Sequence, residues 1–492
     1  MTSAQNLPQP LSGSKLFLLS LGIGILFTSS CSLFRKAENG SAAGGEEELG
    51  PIEGRQVYDP NLGQWVVIQE RPEEGMDTLQ WKLVDEKIRP PITSQGTVAG
   101  VPADEGSYLL ETGEEYGSEK FTRYNVALLL PFVADRSANT SGAIFEGSLW
   151  ALHFYGGAQI ALQELSQMGI KLNVAVKDTR GDESTVRNML NQDAFLRQSH
   201  LIIGPYRRNN VKQIAEFARR NDITLVSPYS GTANLSSNNP NYVQVSPTLQ
   251  THCQAIIEHV LERYAANQVV LVCEDNDMQK TILRYFQEAY FAYMGSDQVP
   301  PLSEYVVSEN QSSYAKVDLE NYLEQRDTLI LIAPSWSEPF VYSLLRETDL
   351  AREYEDYISI YGLPQWMHFE QMDYDYYEKL NVHLSSNYYL DPQSTEVRRF
   401  EQAFFDAFGA IPRTEAYLGY DVMKYFGQQL HQHGTKFQYY LEQNPADYLH
   451  TRFSFEPLFL PGSDLLQAKI DHFENQFVHI LHFEDYQFQP TR

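Results

Sequence analysis

Eight side chains in this sequence have the type and spacing to hold a small molecule. Ser227, Ser230 and Thr232 follow a short apolar run, and their hydroxyls can hydrogen-bond a carboxylate or a polyol. The same residue types form turns and cap helices, so both roles stand at this level. Arg207 and Arg208 open a helical pattern, where guanidinium groups and the helix N-terminus together suit a carboxylate or phosphate. They equally suit a solvated surface. Asn209 and Asn210 come next, with Asn209 placed as a natural N-cap. Asp178 ends a strand pattern, as a ligand or hinge contact or as a loop brace. Asp182 is expected to cap the following helix. Catalytic signatures are absent: there is no Gly-x-Ser-x-Gly elbow, His-Glu-x-x-His, Cys-x-x-Cys or Gly-x-x-x-x-Gly-Lys loop. His431 and His433 are two apart and would not share a helix face as metal ligands do. The expectation is a protein with no enzyme activity, no metal and no cofactor.

Composition narrows the class further. The 492 residues include 37 Lys+Arg against 64 Asp+Glu, a net charge of −27, with 42% hydrophobic and 21% charged residues. That is a folded globular body rather than a disordered chain or a multi-span membrane protein. Its acidity repels phosphate backbones, which excludes nucleic acid as a general partner, and disfavours an anionic bilayer unless a covalent group holds the protein there. The N-terminus supplies such a group. After Lys15, the apolar run Leu16 to Phe27 is shorter than the roughly 20 residues of a spanning helix. Thr28-Ser29-Ser30-Cys31 follows and resembles a bacterial lipoprotein signal, with Cys31 lipidated after removal of residues 1–30. Ser32, rather than Asp, points to the outer membrane, on its periplasmic side. Residues 31–54, rich in Gly, Ala and Glu, read as a flexible tether, and 55–123 as an extension with short strands near Val57–Val67 and Thr78–Val84.

The elements that must position the eight side chains show as periodicity. Val126 to Leu130 is a continuous apolar run, the mark of a strand covered on both faces. A helix with Phe154, Ala158, Ala161, Leu162 and Leu165 follows. Then come a strand at Leu172–Lys177, a helix from Glu183, a strand at Leu201–Ile203, a helix carrying Val211, Ile214, Ala215 and Ala218, and a strand at Thr224–Val226. A second series has strands at Val269–Val272, Leu329–Ile332 and Tyr357–Tyr361, and helices around Ile256 and Phe286. Alternating strands and helices predict parallel sheets, two series predict two lobes, and ligands in such sheets lie beyond the carboxyl ends of strands. Cys253 and Cys273 are read as two buried thiols or as a disulfide pair.

Several stretches carry a family resemblance: Val126-Ala-Leu-Leu-Leu-Pro-Phe132, Asp178-Thr-Arg-Gly-Asp182, Ile202-Ile-Gly-Pro205, Val226-Ser-Pro228 and Glu415-Ala-Tyr-Leu-Gly-Tyr-Asp421. In this order and spacing they resemble the type 1 periplasmic binding protein superfamily. The resemblance implies an α/β fold of two lobes, each a parallel sheet flanked by helices, closing on a ligand. It places lobe 1 at 124–246 plus 383–436 and lobe 2 at 247–382 plus 437–492. One branch is the leucine-type solute-binding component of ABC importers, which implies a small polar or anionic ligand and an ABC permease as partner. Where that branch has a glutamate, this chain has Gly362-Leu363-Pro364. Gly204-Pro-Tyr-Arg-Arg-Asn-Asn-Val211 is more similar to the lipoprotein that activates penicillin-binding proteins, which implies docking to a peptidoglycan synthase instead. Phe154-Tyr-Gly-Gly157 resembles lipoproteins of Bacteroidetes-like bacteria.

Overall fold

The computed structural model describes residues 55–59, 64–68, 109–112, 116–138, 144–307, 317–323, 327–353, 356–460 and 469–491. The expected signal at 1–30, Cys31, the tether at 31–54 and the strand at Thr78–Val84 lie outside the described residues. The chain divides into two compact units, Met1–Glu74 and Gly75–Arg492. In the first, β1 (Arg55–Asp59) and β2 (Gln64–Ile68) form an antiparallel hairpin over the stretch expected to be extended.

The second unit begins with the pair β3 (Leu109–Thr112) and β4 (Glu119–Phe121). Next come β5 (Tyr124–Leu130), α1 (Leu149–Gln167), β6 (Leu172–Asp178), α2 (Glu183–Gln192), β7 (Leu201–Ile203), α3 (Arg208–Asn221), β8 (Thr224–Ser227) and β9 (Tyr242–Gln244). A second series holds α4 (Leu249–Leu261), β10 (Val269–Glu274), α5 (Asp277–Met294), β11 (Ser303–Val307), β12 (Thr328–Ile332), α6 (Glu338–Ala351), β13 (Tyr357–Gly362) and β14 (Val382–Ser386). The chain then runs through α7 (Thr395–Phe408), α8 (Thr414–His433) and the short pair β15 (Ala446–Asp447) and β16 (Arg452–Phe453). It ends in β17 (Phe455–Phe459), β18 (Ile470–Asn475), β19 (His479–Glu484) and β20 (Gln487–Pro490).

Two seven-stranded sheets result, ordered β17-β18-β9-β8-β7-β5-β6 and β11-β10-β12-β13-β14-β19-β20. Pairing is parallel except at β17–β18 in the first and β14–β19–β20 in the second. Alternation along each inner strand feeds two cores. In β5, Val126, Leu128 and Leu130 pack into one core while Ala127 and Leu129 pack into the other. In β10, Val270 and Val272 face one side, and Val269, Leu271 and Cys273 the other. This is the two-lobed α/β architecture that the periodicity predicted.

The lobe boundaries need correction at the C-terminal end. Residues 382–386, placed from 383 onward in lobe 1, form a strand of the second sheet, and β17 and β18 join the first sheet rather than lobe 2. A local apolar pattern marks a strand but not the sheet that accepts it. The pairing of β18 with β9, Phe473 opposite Val243, links residues far apart in sequence. The chain therefore passes between lobes three times, at 245–248, 387–394 and 476–478.

α8 lies against α1, and glycines set how close the two helices come. A methyl group on Gly157 would collide with the carbonyl oxygen of Ala416, and one on Gly419 with that of Phe154. Cys253 and Cys273 are both free and buried in the second lobe, so the pairing alternative is excluded. Burial pushes their thiols up, Cys273 to about 11. Among the described residues no helix is long and apolar enough to cross a membrane.

Candidate functional site

The eight predicted side chains sit near the carboxyl ends of the first sheet's strands but do not form one site. Asp178 accepts from three backbone amides, Val133 at 3.1 Å, Ala134 at 3.0 Å and Arg180 at 2.8 Å. It braces the loop after β5. Arg207 is the N-cap of α3, the place expected for Asn209, and its guanidinium lies over Gly181. Arg208 is exposed. Asn209, in the first turn, donates to Glu183 Oε1 at 2.6 Å and so ties α3 to α2. Asn210 is 1% exposed, and both polar atoms of its amide are buried without a hydrogen-bond partner. Ser227 is fully buried at the end of β8, beneath the surface it was expected to line. Ser230 donates to Thr232 at 3.2 Å, a local turn contact. Asp182 caps α2 as predicted, accepting from Thr185 N at 2.7 Å. Hydrogen bonds from Ser184 and Thr185 hold its carboxyl down at about 2.

Rings fill the space where hydroxyls were expected. Tyr206, after β7, and Tyr229, after β8, have ring centres 4.5 Å apart. Trp150 of α1 lies 4.8 Å from the first and 5.5 Å from the second. Burial, then Tyr206, then Glu415, push the Tyr229 hydroxyl up to about 12.

A cavity of about 460 Å³ lies between the lobes, next to this cluster. Its first-lobe wall is Tyr229 with Thr414, Glu415 and Leu418 from the start of α8. The crossing segments contribute Val245, Ser246, Asn387 and Tyr388, and the turn between β15 and β16 adds His450 and Thr451. The second-lobe wall is Pro364, Gln365, Met367 and His368, directly after Gly362-Leu363. That wall is fixed from behind. The Trp366 indole is fully buried, packs on the bare face of Gly362 and donates from Nε1 to the Ser335 carbonyl at 2.8 Å. None of the eight predicted residues lines this cavity. Their neighbours do: Tyr229 precedes Ser230, and Pro364 belongs to the stretch marked in the sequence as a departure.

The back of the cavity is held by Asp421, a fully buried residue of α8. It accepts from Leu449 N at 3.1 Å, from His450 N at 3.0 Å and from His450 Nδ1. His450 in turn accepts from Tyr389 N at 2.7 Å through its carbonyl, which stitches the β15–β16 turn to the second crossing. A larger groove of about 820 Å³ lies on the other side of His450 and Thr451, lined also by Glu164, Tyr420, Lys424 and His479. Sequence reasoning marked the Glu415 to Asp421 stretch only as a likeness. A buried acid in an otherwise amphipathic helix was the signal for its anchoring role. Among the described residues no group of His, Cys, Asp and Glu is arranged to hold a metal ion.

Comparison with known proteins gives one family match and two similar structures of note. The profile of a family described as periplasmic binding protein matches residues 146–438. A structure described as a branched-chain amino acid ABC transporter from Rhodospirillum rubrum is similar at TM-score 0.52 and 12% identity, covering 75% of this chain and 100% of that one. Full-length LpoA from Haemophilus influenzae is similar at TM-score 0.50 and 13% identity, covering 76% of this chain and 60% of that one. No curated protein sequence gives a significant match.

Proposed function

Since this chain belongs to the periplasmic binding protein family, we propose that it is a non-catalytic binding protein that holds a small polar ligand between two hinged lobes, as the solute-binding component of an ABC-type importer. The observation that carries this reading is the 460 Å³ cavity, whose walls come from both lobes and from the segments that join them. Any relative movement of the lobes changes that volume, so a ligand touching both walls selects the closed state by differential affinity. An ABC permease would then read that state. The reading includes the address: Cys31 lipidated, residues 31–54 as a stand-off, and the body facing the periplasm from the outer membrane. Acyl chains supply the membrane affinity that a net charge of −27 withholds. A thermal-shift screen of amino acids, peptides, nucleotides and cell-wall fragments tests the reading. A bound ligand at 100 times its Kd adds about 2.7 kcal/mol and raises the melting temperature. A flat result across the screen would end the importer reading.

The ring cluster favours a second reading. Trp150, Tyr206 and Tyr229 occupy the strand ends with aromatic surface, the kind that interfaces use. In this reading the protein docks on a peptidoglycan synthase and regulates it. Retention of such synthases on the immobilised full chain is the expected result, and an empty pull-down counts against it.

A further inference from the structure

The cavity between the lobes has an unbalanced lining. Glu415 is its one carboxylate, and no lysine or arginine is among the lining residues. Arg207 and Arg208, expected to grip an anion, lie outside it. Arg413, two residues before Glu415, acts elsewhere: its backbone amide donates to His153 Nδ1 at 3.2 Å, and its charge bears on that ring. Of the two lining histidines, His450 has its Nδ1 engaged by Asp421. The start of α8 would favour an anion by itself, with roughly half a positive charge from the helix dipole, but Glu415 more than offsets it with a full negative charge. Tyr229 and Tyr388 line the same cavity as this carboxylate. Its charge bears on both the Tyr229 and the Tyr388 hydroxyls. A half-buried carboxylate in a cavity that also has tyrosines in its lining favours a cation through Coulomb attraction, to which ring quadrupoles add where a cation meets a ring face. The net charge of −27 raises the local concentration of such ions.

We propose that the ligand held between the lobes carries an organic ammonium group, seated against Glu415 between Tyr229 and Tyr388. This rests on the reading of the chain as a ligand-binding protein and revises the expectation of an anionic ligand. The test is isothermal titration of the full chain with putrescine, spermidine, choline and L-lysine, beside glutarate and glucose as anionic and neutral probes. The expected result is binding confined to the ammonium probes. Glu415→Gln should weaken it at least tenfold, while Glu415→Asp, which keeps the charge, recovers part of the affinity. An unchanged melting temperature of unliganded Glu415→Gln shows that the fold is intact. Binding of glutarate or glucose, or ammonium binding that survives Glu415→Gln, overturns the charge assignment and leaves the ligand-binding reading standing. Binding of no probe overturns the ammonium assignment, and the broader thermal-shift screen then decides separately whether the cavity takes any ligand.

Discussion

Asp178 shows what a single side chain contributes when its carboxylate accepts three backbone hydrogen bonds inside the protein. With Val133, Ala134 and Arg180 amides all directed at it, the carboxylate ties the loop after β5 to the turn after β6. Asp178→Ala is expected to lower stability by about 2 kcal/mol, read from the urea midpoint, with ligand affinity unaltered. Loss of affinity without loss of stability would return Asp178 to the ligand. Asp421 is the stronger case, because it is fully buried and organises the β15–β16 turn. Asp421→Ala should cost on the order of 3 kcal/mol and weaken binding as well, since His450 lines the cavity. Arg208→Ala should change neither melting temperature nor affinity, because the side chain is exposed and outside the cavity. The residue types at the strand ends were legible in the sequence, but their partners were not. Ser227 and Tyr229 are two positions apart, and only the direction in which the chain leaves β8 decides that the tyrosine, not the serine, meets the cavity.

Among elements, the contact of α1 with α8 depends on side chains that are absent. Gly157 and Gly419 let each helix approach the backbone of the other, and no rotamer relieves a methyl placed against a carbonyl oxygen. Gly157→Ala or Gly419→Ala should therefore destabilise by about 1–3 kcal/mol despite alanine's better helix propensity, measured by denaturant unfolding. A gain in stability would mean that the helices can separate freely. Strands with uninterrupted apolar runs, such as Val126–Leu130 and Val269–Val272, were legible because burial on both faces leaves no polar positions. β9 (Tyr242–Gln244) and β18 (Ile470–Asn475) were not. The first is three residues long, and the second carries four buried polar residues, of which Asp471, Glu474 and Asn475 find partners distant in sequence while His472 pairs with Asp471 beside it. Glu474, for example, accepts from Thr248 N at 2.7 Å.

For the molecule as a whole, buried histidines couple stability to pH. Burial pushes His153, His200, His252, His259 and His479 down to about 4, and His383 to about 3. These rings stay neutral in the folded protein, whereas in the unfolded chain they take a proton near pH 6.5. Their contribution is complete above that pH and is lost as pH falls from about 6.5 toward 4, on the order of 1 kcal/mol per ring at pH 5. His472 has the opposite sign. Burial opposes its charge, but Glu474 and Asp471 raise it overall, so its contribution is lost as pH rises. The depressed rings outnumber and outweigh it, and the melting temperature should fall between pH 7 and pH 5; a level profile would show that the rings are open to water. The threefold passage between lobes has a further consequence. The first sheet is finished by residues after 454 and the second by residues after 478, so neither is whole until those residues have emerged and paired. A nascent chain cannot bank one completed half and await the other. Until β18 pairs with β9 and β19 with β14, both sheets keep an open edge, so the two lobes close together rather than one after the other.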